Sequence, residues 1–192
     1  VSIYQDTDPT SPEDWESDEC KIVTTRNRYF ELHSDELPDA EELPKLKRTH
    51  WVFPLYMYAH SGVALSLGRG YPFNDPWDSG QVGFVLVAKP HANKAAEKSW
   101  RYEKRARTYA QAKVDEWNSY LSGDVWGFVI EAIAGDLDTE LDEDDATETR
   151  HIDSCWGFYG LEYCKQEARS VAESALKHEQ EQNEKIERMM HQ

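Results

Sequence analysis

Short runs of β-branched and aromatic residues fill the first half of the chain, give way to a helical period between Lys94 and Leu121, and return after Gly123. Cys20 to Leu32 (CKIVTTRNRYFEL) predicts a first strand, Val63 to Leu67 a short one and Gln81 to Lys89 (QVGFVLVAK) a well-buried one. Trp51 to Tyr58 (WVFPLYMY) is also strand-like, but Pro54 cannot donate to a ladder, which demotes the run to an edge strand or a bulged one. Residues 33 to 48, with Pro38 and Pro44, read as a polar loop. Between Lys94 and Leu121, Tyr102, Ala106, Tyr109, Ala110, Val114, Trp117 and Leu121 recur at three- and four-residue steps and share one apolar face. Gly123 stops that helix. The opposite face holds Lys94, Lys98, Arg101, Lys104, Arg105 and Arg107; with no aromatics among them, they read as a solvated face rather than a phosphate site.

Asp124 to Ile133 and His151 to Tyr159 read as a hairpin joined by an acidic connection, and Leu161 to Leu176 returns to helical spacing. Beyond Lys177 the Glu181–Lys185 and Glu184–Arg188 steps support a projecting helix or a frayed tail. A short echo, SGQVGFV at Ser79, SGDVWGFV at Ser122 and WGF at Trp156, places Gly83, Gly127 and Gly157 each before a Phe. Glycine inside a strand needs a use for its missing Cβ. The echo predicts aromatic rings stacked over these glycines across neighbouring strands, with Trp126 and Trp156 closing a sheet. The fold expected is α+β: a mainly antiparallel sheet of about five to six strands packed by two helices. Its domain spans residues 20–176, between an irregular acidic arm over 1–19, pinned by Trp15, and a charged tail over 177–192.

The net charge of −16 changes this picture because of where it sits. Residues 1–19 hold seven acids and residues 135–149 eight, neither with a Lys or Arg, which leaves the rest of the chain close to neutral. Such segments repel nucleic acid and attract basic surfaces over roughly 8–10 Å at physiological salt. The expected partner is therefore the basic surface of a protein or nucleoprotein complex, with no direct nucleic-acid contact. The partner-binding candidates are Asp136, Asp138, Glu140, Asp142, Glu143, Asp144 and Asp145. No run approaches the ~18 apolar residues of a membrane span, so no membrane role and a cytoplasmic setting are expected. Cys20, Cys155 and Cys164 form neither a paired framework nor a ligand-spaced cluster, as suits a reducing compartment.

Candidate chemistry gathers after His60. A His at a strand end can serve as a general base, and His60, Ser61, Asp75, Asp78 and Gln81 form a candidate ligand pocket. In that alternative, Asp75 and Asp78, flanking Pro76 and Trp77, orient the base or hold a divalent cation; as turn residues they also cap their own loop. Trp156 and Phe158 suggest that Cys155 is a buried, inert thiol. The acidic run DLDTELDEDD fails as a calcium loop, since Leu141 and Thr147 stand where Gly and Glu are required. No phosphate-loop, dinucleotide, nucleophile-elbow or zinc-protease motif is present, and no cofactor or metal is expected.

The segments IYQDTDPTSPEDW, LYMYAHSGVALS, PFNDPWDSGQVGFVLV, YLSGDVWGFVIE and DSCWGFYG span nearly the whole chain. Together they resemble a family of uncharacterised proteins encoded by bacteriophages, plasmids and related mobile elements. The acidic connection at 135–149 and the charged tail depart from that family's pattern. The resemblance brings no catalytic residue, and it implies a small acidic protein that binds host machinery, defence nucleases included. The reading that results is a non-enzymatic inhibitor presenting phosphate-like charge in the host cytoplasm; the alternative is an enzyme or small-ligand or metal-binding protein built on His60, Asp75 and Asp78.

Overall fold

A computed structural model describes residues 1–15, 19–24, 37–39, 41–68, 77–90, 100–133 and 149–191. Its seven strands are all antiparallel and lie in two sheets, so the α+β class holds while the strands divide between a three-stranded and a four-stranded sheet. The chain forms two compact units: a central unit, Thr10–Gly123, and a terminal unit made of Val1–Pro9 and Asp124–Gln192.

The central unit contains β2 (Cys20–Thr24), α1 (Leu43–Thr49), β3 (His50–Ala59), β4 (Val63–Leu67), β5 (Ser79–Ala88) and α2 (Trp100–Ser122). Its sheet runs β2-β5-β3-β4. β3 is an inner strand despite Pro54: pairing with β4 begins one residue later, at Leu55, and the ladder to β5 shifts register between Leu55 and Tyr56. The Pro54 carbonyl accepts from the Gly68 N–H at 3.3 Å, so its donorless nitrogen faces the β4 side just beyond the end of that ladder, where no partner is required, and β4 takes an edge position. Ala106, Ala110, Val114 and Trp117 of α2 bury against Leu55, Met57, Leu65 and Val85 of the sheet. Gly123, at φ 73°, ends α2 in a left-handed conformation that glycine adopts without a Cβ penalty.

Within the span read as a polar loop, α1 forms because Pro44 occupies its first turn, where no donor is required. Asp39 Oδ1 accepts from the Glu42 N–H at 2.8 Å, while the Asp39 N–H donates to Glu42 Oε2 at 3.2 Å. This is the reciprocal arrangement of a capping box.

The terminal unit contains β1 (Ser2–Gln5), β6 (Val125–Ile133), β7 (Thr149–Tyr159) and α3 (Leu161–Met190), with sheet order β1-β6-β7. The arm expected to be irregular thus includes a strand, because Ser2 to Gln5 align with Val129 to Trp126 and satisfy the open edge of β6. Further along it, Pro12–Trp15 form a 3-10 turn of the central unit, whose Pro12 carbonyl accepts from the buried Lys113 Nζ at 3.2 Å. Cys164 and Ala168 of α3 bury against Phe128 and Ile130. α3 continues as one helix through the span expected to be either a projecting helix or a frayed tail.

The glycine echo has three different outcomes. A Cβ at Gly127 would overlap the indole of Trp156 on the neighbouring strand, so an aromatic ring does fill that space, and Tyr4 stacks on the same indole at 6.4 Å. A Cβ at Gly83 would instead overlap the Val23 carbonyl, so there the close approach is that of the β2 backbone. Gly157, at φ 84°, has open space around its missing Cβ and is needed for conformation alone.

Candidate functional site

The turn after β3 and the start of β5 bring together two residues eighteen positions apart. His60 Nδ1 lies 2.7 Å from Asp78 Oδ2, and the Ala59 N–H donates to the Asp78 carbonyl at 2.8 Å. Tyr58 stacks against the His60 ring with centroids 6.4 Å apart. The side chains of His60 and Asp78 are 66% and 36% exposed, so water screens their attraction and competes for both groups. The arrangement clasps the β3–β4 turn to the next strand. Ser61 is exposed in that turn, and Gln81 turns its side-chain amide back to its own strand, donating to the Gly83 carbonyl at 3.3 Å. Asp75 lies outside the described residues, as do all seven candidates from Asp136 to Asp145. Among the described residues no group of three His, Cys, Asp or Glu side chains is placed to hold a metal ion.

Cys155 is corrected by the structure. It lies on β7, an edge strand exposed over most of its length, and its thiol faces the Trp156 carbonyl at 3.9 Å. Cys164, like Cys20, is buried, and burial pushes its thiol pKa up, with the nearby Cys155 adding to the effect.

The larger miss concerns α2. The sequence placed Tyr102 and Tyr109 on the buried face with Ala106 and Ala110, yet they are 40% and 47% exposed. The true buried stripe passes through Lys113, whose ammonium leaves the core for the Pro12 carbonyl and Glu116. That rotation leaves the two tyrosines at its border, beside Arg101, Lys104 and Arg105. The basic face is therefore interleaved with aromatics after all. The signal was available: Arg105 stands three residues after Tyr102 and four before Tyr109, a spacing that puts the three on adjoining turns.

Comparison of the chain with protein-family models, with curated proteins and with solved structures gave no match.

Proposed function

We propose that the protein is a non-enzymatic acidic binding protein whose terminal unit engages a cationic surface on a nucleic-acid-handling or defence complex of the host, with carboxylates standing where phosphates would. One observation carries this reading. The terminal unit has twenty Asp and Glu against six Lys and Arg, whereas the central unit is nearly balanced, with seventeen against fifteen. The two-unit division sharpens the charge pattern of the sequence, because the segment 135–149 belongs to the same unit as α3. On α3, Glu162 and Glu184 pair with Lys165 and Arg188, and Glu179 pairs with Arg150, while Glu173, Glu181 and Glu187 have no partner among the described residues. A surplus of this kind speeds encounter with a basic groove and selects against anionic partners.

The test uses the full chain immobilised and challenged with host lysate at low and high ionic strength, beside a variant in which the seven acids from Asp136 to Asp145 become Asn or Gln. A partner that is displaced by duplex DNA, weakened by salt and lost by the variant is the expected result. Retention of the same partner by the neutralised variant overturns the proposal. The 2.7 Å contact of His60 with Asp78 favours one second reading, a small-ligand or metal site at that turn. It requires His60→Ala and Asp78→Asn to remove binding of a titrated divalent cation or small molecule while the fold is kept.

A further inference from the structure

The central unit holds a cavity of about 610 Å³ between the first half of α2 and the adjoining ends of β3 and β5. Its size falls in the ~300–1,000 Å³ range of small-ligand sites. The floor is made of small or short side chains, Val87, Ala88 and Ala106, and this absence of bulk is what keeps the space open. On the sheet side stand Trp51 and Lys89; the Lys89 ammonium lies 5.8 Å from the Trp51 ring centroid and donates to the Lys47 carbonyl. On the helix side stand Tyr102, Arg105 and Tyr109, spread over two turns, or roughly 10 Å of helix. Each wall therefore offers an aromatic surface together with a cation.

The chemistry of the walls selects the ligand. An inorganic anion has no use for three aromatic side chains, and a neutral apolar molecule has no use for two cations. A flat heterocycle carrying phosphate uses both: bases stack on aromatic rings regardless of identity, and a guanidinium meets phosphate oxygens in a forked geometry that ammonium lacks. Arg105 is available for this, since it is exposed and forms no ion pair with any described residue, and Lys89 keeps unused donors after the Lys47 bond. Among the described residues lining the cavity Glu19 is the one acid, and it supplies an acceptor for a sugar hydroxyl or a base amino group. The chain's overall charge of −16 opposes an anion only at a distance. With a screening length of about 8 Å at physiological salt, the local cations decide.

We infer that this cavity binds a nucleoside phosphate, the base held against Trp51, Tyr102 and Tyr109 and the phosphate against Arg105 and Lys89. The site stands in the central unit and is independent of the acidic-surface reading. Isothermal titration of the full chain with the four common nucleoside 5′-monophosphates, with the unphosphorylated nucleosides and with inorganic phosphate tests it. At least one nucleotide should bind, and its nucleoside and phosphate alone should each bind about tenfold more weakly or worse. Arg105→Gln should weaken the nucleotide by roughly tenfold or more and leave the nucleoside unchanged, because only a charge-assisted contact is lost. Tyr109→Leu should weaken nucleotide and nucleoside alike, and Arg105→Lys should recover part of the Arg105→Gln loss. Both positions are exposed, so melting curves matching the parent certify the variants. Absence of binding by every nucleotide at millimolar concentration overturns the inference, as does a nucleotide affinity unchanged in the Arg105→Gln, Tyr109→Leu double variant. Binding of a single-stranded oligonucleotide without any mononucleotide also overturns it, in favour of a macromolecular site.

Discussion

Single side chains in this protein show where burial and polarity are in conflict. Thr24 Oγ1 and Trp117 Nε1 are buried and have no hydrogen-bond partner among the described residues. An unsatisfied buried hydroxyl costs about 1–3 kcal/mol, and valine has nearly the same shape without it. Thr24→Val is therefore expected to stabilise the central unit by about 1 kcal/mol, read as a rise in the denaturant midpoint with an unchanged slope. The cysteines divide by the same logic. Cys155 is exposed and Cys164 buried, so a thiol reagent on the native protein should modify Cys155 quickly and leave Cys20 and Cys164 until the fold opens. Because the folded state raises the Cys164 pKa, it holds a proton there that the unfolded chain has already lost. The stability contributed is complete below the ordinary thiol pKa and declines as pH rises from that value to the raised one. Cys164→Ala should flatten that alkaline decline in a series of melts, even though the deleted sulfur lowers stability at every pH.

Among the elements, β4 depends most on one side chain. It is an edge strand of the larger sheet, and Asn118 of α2 supplies what a further strand would: its Oδ1 accepts from the Leu65 N–H at 2.7 Å and its Nδ2 donates to the Leu65 carbonyl at 3.0 Å. Asn118→Leu leaves both backbone groups unpaired under a helix, an expected loss of about 2 kcal/mol. Hydrogen exchange should localise the loss to β4 and the adjoining turn. Regular elements of this kind were readable from the chain wherever local chemistry agreed with packing. Val63–Leu67 and the stop at Gly123 are examples. α1 was missed because its signal is a single Asp39–Glu42 reciprocity ahead of a proline, and the helix buries no residue that would leave an apolar period. β1 was missed because its four residues gain their strand character from β6, more than a hundred positions away.

For the whole molecule, charge separation is the dominant physical fact. The unit rich in carboxylates repels itself, and salt screens that repulsion. The melting temperature is accordingly expected to rise between low and moderate ionic strength, and the variant neutralised between Asp136 and Asp145 should lose most of that dependence while melting higher at low salt. A flat profile in both proteins would show that the acids are already compensated. The sequence revealed the acidic runs, but the assignment of both ends of the chain to one unit lay beyond it, since strand partners at such separation leave no local trace. Nor could periodicity locate the candidate sites fully. It brought His60 and Asp78 under suspicion from the character of their loop, yet it placed Tyr102 and Tyr109 in the core because apolar spacing cannot distinguish a buried ring from one at the border of a stripe. The interrupted make-up of the terminal unit also sets an order of events at the ribosome. Residues 10–123 can collapse as soon as they emerge, whereas β1, which precedes them, has to wait for β6 before its backbone finds a mate. During that interval β1, still without its partner, is open to chaperones and proteases.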